Sequence, residues 1–346
     1  MSIDLWHKLK NKNKPIFIYG MGNGADAIIE KLTKHNITIN GIFASDNFVR
    51  GQTFHGFRVS TYNEIKINYG SFIVLVAFGT ERIDVINNVL KIASEQELYI
   101  PDAPVYGKTF FDDEYFESNL TELQNIQNKL YDERSKSVFE NIIEYKKSGE
   151  INYLLNSEDN EDETFEEILK LTCDDRIFDL GAFNGDTVEK FIKFCPEYNE
   201  IIAVEPSKIN FGRLIENTKN NKNIKYENAA ISYLNGTMFF GESGGRNQSV
   251  YNGKNVVKSI TIDSLCKKYG KPDFIKFDIE GEELNGLIGG EKTIKQYKPK
   301  LMISAYHRSE DIISIPNKVL SLRNDYKMFI RHFPCIPCWD TYYIFV

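Results

Sequence analysis

Two stretches of the chain alternate short apolar runs with segments in which apolar residues recur at helical spacing. In the first stretch, residues 72–78 are apolar throughout, which is typical of a strand buried on both faces of a parallel sheet. Shorter apolar runs at 15–19 and 37–44 flank a segment at 27–34 whose apolar positions follow a helical period. This pattern predicts a small βαβ unit with a parallel sheet.

The second stretch contains seven strand candidates, and helical segments separate most of the early ones. The candidates lie at 177–179, 201–205, 224–230, 274–278, 301–305, 327–331 and 341–346. Because no helix lies between the last two, they are predicted to pair in antiparallel orientation. The chain is therefore predicted to have an α/β fold made of two Rossmann-like units.

The residues between the two stretches are predicted to be helical. Glycine and proline are scarce from 112 to 147, and the apolar residues recur at spacings that suit packing helices. We predict a small Rossmann-like domain at 1–108, a helical linker at 109–150 and a second domain at 151–346.

The composition suits a protein that buries two cores, and it excludes some classes of partner. Of the 346 residues, 42% are hydrophobic and 26% are charged, which is ordinary for a globular protein. The net charge of −7 argues against nucleic acid as a partner. The first residues, 1–14, are polar, and no apolar run is long enough to cross a bilayer, so we predict a cytoplasmic protein without a membrane span.

The cysteines indicate structure rather than a redox or zinc site. Their number, five, is odd and no secretory signal accompanies them, which argues against a disulfide framework. Cys335 and Cys338 have the spacing of a redox or zinc motif, but no second Cys/His pair accompanies them. A structural turn is the favoured interpretation of this pair.

The clearest chemical signal lies at 177–187, where an apolar strand runs into a turn with two glycines and then into a helix. Gly181 and Gly185 are predicted to let the backbone approach a ligand closely, since a side chain at either position would fill that space. Glu205 follows at the end of the next strand, where Rossmann-like folds place the carboxylate that holds ribose hydroxyls. The second unit is therefore predicted to bind a cofactor that contains adenosine.

Taken together, the motifs of the second unit resemble the FkbM-type S-adenosylmethionine-dependent methyltransferases. The matching segments are 179–187, 204–206, 228–230, 261–263, 276–283 and 304–307, followed by Asp311. Lys-Phe-Asp-Ile-Glu-Gly-Glu at 276–282, with Tyr306-His307 downstream, is the most specific part. The resemblance covers about half of the chain and implies a seven-stranded class I methyltransferase sheet with a terminal antiparallel hairpin. It also implies S-adenosyl-L-methionine as the cofactor.

The resemblance assigns roles to residues of this loop and of the strands beside it. Asp179 is expected to orient the loop or to meet the methionine amino group, and Glu205 to accept both ribose hydroxyls. Asn228 and Ala229 are expected to flank the adenine. The predicted cofactor-binding residues are Asp179, Gly181, Ala182, Gly185, Asp186, Thr187, Glu205, Pro206, Asn228, Ala229 and Asp278.

Methyl transfer to a hydroxyl requires an aligned acceptor and removal of the hydroxyl proton. Asp278 and Glu280 follow the fourth strand and His307 follows the fifth, so these three predicted catalytic residues are expected on one rim of the sheet. The hypothesis is that His307 or Asp278 takes the proton while Glu280 and Tyr306 bind a small-molecule, sugar-nucleotide or glycan acceptor. The base assignment supposes an ordinary histidine pKa near ~6.5. A structural histidine is the alternative.

Two further alternatives concern the acceptor side of the site. A divalent metal held by Asp278, Glu280 and His307 is not favoured, and no metal site is predicted. The polar segment at 241–249 lies between the third and fourth strands, and it is predicted either as a substrate lid or as an ordinary hairpin loop.

The first unit carries a weaker dinucleotide fingerprint, Gly20-x-Gly22-x-x-Ala25, with Asp46 as its candidate ribose acid. Recognition of a nucleotide or sugar-nucleotide is favoured for this unit over a docking role. Two rivals to methyl transfer follow, namely an NAD(P)-dependent sugar oxidoreductase and a non-catalytic nucleotide-binding protein. Cofactor preference distinguishes the oxidoreductase from a methyltransferase, and turnover distinguishes a methyltransferase from the non-catalytic protein.

Overall fold

The computed structural model describes residues 3–240 and 255–346, so the segment predicted as a lid or a hairpin loop lies outside the described residues. The chain divides into two compact units. Unit 1 comprises Met1–Gln127, Lys136–Asp159 and His332–Asp340, and unit 2 comprises Asn128–Ser135, Asn160–Arg331 and Thr341–Val346. The domain boundaries expected at 108 and 150 stay predictions.

A six-stranded sheet forms the centre of unit 1. Its strands are β1 (Ile16–Tyr19), β2 (Gly41–Phe43), β3 (Thr53–Phe54), β4 (Phe57–Ser60), β5 (Ile73–Val76) and β6 (Glu97–Tyr99). They lie in the order β3-β4-β2-β1-β5-β6, and each neighbouring pair is parallel except β3 with β4. Strands β1 and β5 are buried along their whole length, which confirms the interpretation of the apolar run at 72–78.

The helices of unit 1 include the amphipathic helix predicted at 27–34. They are α1 (Leu5–Lys10), α2 (Asn23–Lys34), α3 (Tyr62–Tyr69), α4 (Ile83–Glu95), α5 (Asp113–Lys129), α6 (Glu133–Ser148) and α7 (Ile151–Ser157). In α2, for example, Ala25, Ile28 and Leu32 recur at helical spacing and are buried in the core beside β1. A short 3-10 helix at Asp46–Phe48 follows β2.

A seven-stranded sheet forms the centre of unit 2, as the resemblance to class I methyltransferases implies. Its strands are β7 (Arg176–Leu180), β8 (Glu200–Val204), β9 (Ile224–Glu227), β13 (Phe274–Phe277), β14 (Lys300–Ser304), β15 (Met328–His332) and β16 (Thr341–Phe345). Their order is β15-β16-β14-β13-β7-β8-β9. Strand β16 is antiparallel to β14, and Lys327 and Val346 exchange two backbone hydrogen bonds beside β15 and β16. The predicted fold class and its terminal antiparallel hairpin are confirmed.

A second, three-stranded sheet of unit 2 was not predicted. It consists of β10 (Ala230–Ile231), β11 (Gly236–Phe240) and β12 (Asn255–Ile260), in the order β10-β12-β11. The third strand candidate, 224–230, is therefore too long, because β9 ends at Glu227 and Ala230 already pairs with Ser259 in the small sheet. The break lies at Asn228, whose side chain donates hydrogen bonds to the backbone after β8.

The helices of unit 2 separate its parallel strands. They are α8 (Glu161–Glu163), α9 (Asp186–Phe194), α10 (Lys208–Thr218), α11 (Ile262–Tyr269), α12 (Glu283–Gly289), α13 (Glu291–Tyr297) and α14 (Asp311–Leu322), with a π-helix at Thr164–Leu169. Among the described residues, no helix is long and apolar enough to cross a membrane. Cys335 and Cys338 are buried thiols in the segment between β15 and β16, and the Cys338 thiol donates to Asp102.

Candidate functional site

The turn between β7 and α9 is tied to the end of the neighbouring strand β8. The backbone N–H groups of Gly181 and Ala182 both donate to the carbonyl oxygen of Val204, at 2.9 and 3.0 Å. These bonds place the turn at the carboxyl edge of the sheet, where Rossmann-like folds bind their ligands. The turn therefore lies at the predicted edge of the sheet, and its role in cofactor binding stays a prediction.

Protein atoms occupy the space that a side chain would fill at either glycine of this turn, although Gly181 also lines the cavity described below. A Cβ atom on Gly181 would lie 1.9 Å from the carbonyl oxygen of Asp278, and one on Gly185 would lie 2.8 Å from the side chain of Thr218. Both glycines also have positive φ angles, 85° and 94°, which a side chain would strain. The expectation that a ligand fills the space beside them needs this correction, because neighbouring protein atoms occupy it.

Glu205 follows β8 and holds the turn through its carboxylate. Its two oxygens accept hydrogen bonds from the backbone N–H groups of Phe183 and Ser207, at 3.0 and 2.8 Å. Burial raises the pKa of Glu205 to about 8, although these two bonds oppose the shift. A carboxylate has about four acceptor positions, so lone pairs remain for the ribose hydroxyls that the sequence predicts at this residue.

Asp179, near the end of β7, is a buried carboxylate without a hydrogen-bond partner among the described residues. Burial raises its pKa to about 7, against the attraction of the Lys276 ammonium. An ionised group left in this state costs stability unless a cation or a donor compensates it. Asp179 is therefore suited to a positively charged group of a ligand.

A cavity opens beside Glu205 at the carboxyl ends of the central strands. It is lined by Gly181, Phe183, Val204, Glu205, Pro206, Asn210, Ala229, Ala230, Ile231, Asp278, Ile279, Glu280 and Glu282. Its lining brings together six predicted site residues from four separate parts of the chain. These are Gly181, Glu205, Pro206, Ala229, Asp278 and Glu280.

Several predicted residues do not line this cavity. Asp179, Ala182, Gly185, Asp186, Thr187, Asn228 and His307 lie outside its lining. Asp186 begins α9 and accepts from the Thr187 backbone N–H, so both have local partners in the first turn of that helix. Asn228 supports the site indirectly, since its amide donates to the carbonyl oxygens of Glu205 and Pro206.

Asp278, directly after β13, is held in the ionised form. Its oxygens accept from the Tyr306 hydroxyl at 3.0 Å, the Lys276 ammonium at 3.2 Å and the Tyr342 hydroxyl at 3.4 Å. Burial alone would raise the pKa of Asp278, but the charges of Lys276 and His307 and these bonds lower it to about 2. The two tyrosine hydroxyls and this carboxylate form one polar cluster beside the cavity.

His307 lies behind this cluster and is surrounded by carboxylates. Its Nδ1 atom is 3.0 Å from Glu283, and its Nε2 atom is 3.5 Å from Glu280 and 3.7 Å from Asp278. Burial would lower the pKa of His307, but these three carboxylates outweigh it and raise the pKa to about 10. The ordinary pKa expected from the sequence is wrong here, and near neutral pH the ring is an imidazolium.

The backbone after β13 turns in a conformation that non-glycine residues rarely adopt. Glu280 has φ 59° and Gly281 has φ 85°, a local strain that tends to occur at functional sites. The turn ends the strand at Phe277, so Asp278 and Glu280 are not on one strand face. It instead brings the Glu280 carboxylate to the cavity lining and to His307.

Sequence reasoning missed four polar residues of the site. Lys276 and Glu283 lie inside the motif that carried the resemblance, and their charge next to a buried strand end was the available signal. Tyr342 lies on the terminal hairpin, so only the three-dimensional pairing of β14 with β16 brings it near Asp278. Asn210 lines the cavity with a buried side-chain oxygen that has no hydrogen-bond partner in the described part of the chain.

Comparison with known protein families identifies this region of the chain. Residues 179–328 match the family model described as the methyltransferase FkbM domain. The resemblance stated from the motifs is thereby confirmed. No curated protein that was compared with the chain matches it.

Comparison with solved structures supports the fold. The whole chain resembles a crystal structure of methyltransferase FkbM from Methylobacillus flagellatus KT, with a TM-score of 0.72 and 19% identity over 99% of this chain and 92% of that one. Precorrin-6y C5,15-methyltransferase from Geobacter metallireducens GS-15 matches with a TM-score of 0.34 and 13% identity over 51% of this chain and 81% of that one. Aeropyrum pernix fibrillarin, with natively bound S-adenosyl-L-methionine, matches with a TM-score of 0.32 and 12% identity over 51% and 67%. Only the first likeness is close enough to support an argument, and it concerns the fold.

Proposed function

We propose that this chain, which carries an FkbM methyltransferase domain, transfers a methyl group from S-adenosyl-L-methionine to a hydroxyl of a glycan, a sugar-nucleotide or another small metabolite. The observation that carries the cofactor assignment is Asp179, whose two buried oxygens have no hydrogen-bond partner among the described residues. The amino group of the cofactor's methionine part has the positive charge that this carboxylate needs.

The other residues of the turn fit the same cofactor. Glu205 is anchored by two backbone N–H groups and keeps acceptor positions for ribose hydroxyls. Ala229 and Ile231 add small and apolar surface to the cavity, which suits an adenine ring. The unpartnered oxygen of Asn210 is a further polar group at the lining.

The acceptor chemistry follows from the cluster around Asp278. S-adenosyl-L-methionine supplies an electrophilic methyl group on a sulfonium. An acceptor oxygen that gains a methyl group becomes strongly acidic, so even the weakly basic Asp278 carboxylate can take its proton. His307 enters as an imidazolium that stabilises the carboxylates of Asp278 and Glu280, rather than as the base.

The same cluster supports a hydroxyl-bearing acceptor. The hydroxyls of Tyr306 and Tyr342 and the carboxylates of Asp278 and Glu280 can each bind a hydroxyl group. Sugars present several hydroxyls in a small volume, which matches several such groups close together. A glycan or a sugar-nucleotide is therefore the preferred acceptor in this proposal.

The oxidoreductase alternative receives no support from unit 1. Tyr62 and Lys66 of α3 do have the Tyr-x-x-x-Lys spacing of some hydride-transfer enzymes. Both side chains, however, bind the same carboxylate, that of Glu95, at 2.8 and 2.7 Å. Burial and this bond raise the pKa of Tyr62 to about 12, which opposes proton donation near neutral pH. Nucleotide binding by unit 1 stays a prediction, and the proposed function does not depend on it.

The test combines binding with transfer. Calorimetry with S-adenosyl-L-methionine, S-adenosylhomocysteine and NADH is followed by incubation with methyl-labelled S-adenosyl-L-methionine and a panel of monosaccharides, oligosaccharides and UDP-sugars. We expect both adenosyl compounds to bind and label to appear on a sugar oxygen. Binding of NADH without binding of either adenosyl compound would overturn the proposal. Label on nitrogen alone would retain the cofactor and overturn the acceptor.

A further inference from the structure

Glu283 is a fully buried carboxylate at the start of α12. One of its oxygens accepts a hydrogen bond from the Ile279 backbone N–H at 3.0 Å and also lies 3.0 Å from the Nδ1 atom of His307. The second oxygen is buried and has no hydrogen-bond partner within the described ranges. A buried carboxylate is expensive, so its pairing with the His307 ring matters for its presence.

We propose that Glu283 is the positioning residue of His307, holding the ring through Nδ1 so that Nε2 points to the carboxylates of Glu280 and Asp278. This inference rests on the proposed function, because it concerns the acceptor side of the same site. Glu283 does not line the cavity, so its charge reaches the acceptor side through His307, while its bond to the Ile279 backbone N–H supports the turn after β13.

The two ring nitrogens of His307 face different carboxylates. Carboxylates that bind one imidazole nitrogen commonly fix the orientation and protonation of the ring, which sets what the other nitrogen presents. Here Nδ1 faces the deeply buried Glu283, while Nε2 faces Glu280, which lines the cavity. The ring therefore connects a buried negative charge to the charges beside the cavity.

The surroundings leave Glu283 as the principal anchor of the ring. The groups around His307 are the carboxyls of Glu283, Glu280, Asp278 and Asp311, the ring of Tyr306, and Arg308 next to Asp311. Burial, together with repulsion from Glu283, raises the pKa of Asp311, so this neighbour tends to stay uncharged. Asp311 also accepts from the Arg308 backbone N–H at 2.8 Å, which gives it a separate local role.

The test uses Glu283→Gln, which keeps the shape of the side chain and removes its charge. The imidazole of His307 is titrated by NMR in the full-length protein, and the pH profile of kcat is measured with the acceptor found above. Because an opposite charge within hydrogen-bond range shifts a pKa by about 1–3 units, we expect His307 to titrate at least ~1 unit lower in the variant. The alkaline limb of the kcat profile should move down by the same amount, with the KM for S-adenosyl-L-methionine within about twofold.

Glu227→Gln is the matched control, since Glu227 is also buried and is paired with Lys258, Lys268 and Tyr269 away from His307. It should lower stability and leave the titration of His307 unchanged. An unchanged His307 pKa in Glu283→Gln, or a wild-type His307 that titrates near its ordinary value, would overturn the positioning role. A wild-type His307 that titrates near its ordinary value overturns the role even if the variant does not fold. A wild-type protein that binds no S-adenosylhomocysteine would instead overturn the proposed function, so the two failures can be distinguished.

Discussion

The turns after β1 in unit 1 and after β7 in unit 2 share one equivalent backbone hydrogen bond. In unit 1 the Gly20 N–H donates to the carbonyl oxygen of Phe43 at 2.9 Å, and in unit 2 the Gly181 N–H donates to that of Val204 at 2.9 Å. Each glycine thus binds the last residue of the next strand. This equivalent bond allows positions at the strand ends of the two units to be paired, so that their side chains can be compared.

The residue after the second strand differs between the units. Ala44 donates its backbone N–H to Ser60 in unit 1, just as Glu205 donates to Glu227 in unit 2. An alanine thus stands where unit 2 has the carboxylate predicted to hold ribose. Asp46, the candidate ribose acid of unit 1, lies two residues further on, in the 3-10 helix.

The residues that follow the central strands β5 and β13 differ in the same way. Ala77 and Asp278 occupy equivalent positions, because each donates its backbone N–H to the last residue of the adjacent strand, Tyr19 or Leu180. The strand registers then make Ile18 of β1 the counterpart of Asp179 of β7. Asp179, Glu205 and Asp278 of unit 2 thus have apolar counterparts in unit 1. Since buried carboxylates cost stability, their presence in only one unit supports a ligand there that compensates them.

The largest expected effect is on turnover, at Asp278. Asp278→Asn removes the carboxylate that takes the acceptor proton, so kcat should fall by roughly 10²–10⁴-fold, as for loss of a general base. Steady-state kinetics with the acceptor measures it. The matched change in unit 1 is Ala77→Ser, which should leave kcat within about twofold. A comparable loss of kcat in both variants would mean that the two turns do not differ in function.

A second prediction concerns the trade between binding and stability at Asp179. Asp179→Asn removes the partner of the cofactor's amino group, so affinity for S-adenosylhomocysteine should fall about 10–100-fold, as for loss of a charged hydrogen bond. The free protein should instead become more stable at pH 8 by about 1–3 kcal/mol, because the variant has no buried charge. Calorimetry and denaturant unfolding measure the two effects.

The raised pKa of Asp179 also determines how the stability of the folded protein changes with pH. The pKa of Asp179 is raised from its ordinary 3.8 to about 7 in the folded protein. Between these values the folded state keeps a proton that the unfolded chain has lost, so this group's contribution to stability falls as pH rises. The decline should be shallower in Asp179→Asn. Ile18→Asn, the counterpart in unit 1, should lower stability at every pH, and a stabilising effect there would contradict the comparison.

A further prediction separates the glycines of the two turns. Gly181→Ala should destabilise unit 2 by more than about 3 kcal/mol, because its Cβ would meet a carbonyl oxygen at 1.9 Å and its φ is positive. Gly22→Ala meets no atom within 4 Å, so only its backbone strain, about 1–3 kcal/mol, remains. Thermal unfolding of both variants measures the difference, and equal losses would contradict the packing role of Gly181.

The sequence predicted those elements that carry a strong local pattern. The buried strands β5 and β7, the terminal hairpin and the site turn were all recognisable, because apolar runs and glycines specify them locally. The hairpin of β3 and β4 and the three-stranded sheet were not, since their strands are short and carry mixed polarity. Short strands are decided by tertiary pairing rather than by their own residues.

The sequence predicted part of the cavity lining but not the electrostatics of the candidate site. Glu205 and Asp278 could be located from strand ends alone, and both line the cavity. The protonation of His307 depends on Glu283, Glu280 and Asp278 meeting around it, and no spacing in the sequence reports that. The need for a glycine at position 181 likewise comes from the carbonyl oxygen of Asp278. That residue is almost one hundred positions away, and only the sheet brings it close.

The most direct test of the central claim titrates S-adenosylhomocysteine and, separately, NADH into the wild-type protein, Glu205→Ala and Asp46→Ala. Loss of two charged hydrogen bonds should weaken S-adenosylhomocysteine binding in Glu205→Ala by at least ~100-fold. Asp46→Ala should bind it as tightly as the wild type, and none of the three should bind NADH. Affinity for S-adenosylhomocysteine that survives Glu205→Ala, or NADH binding that Asp46→Ala abolishes, would contradict the account.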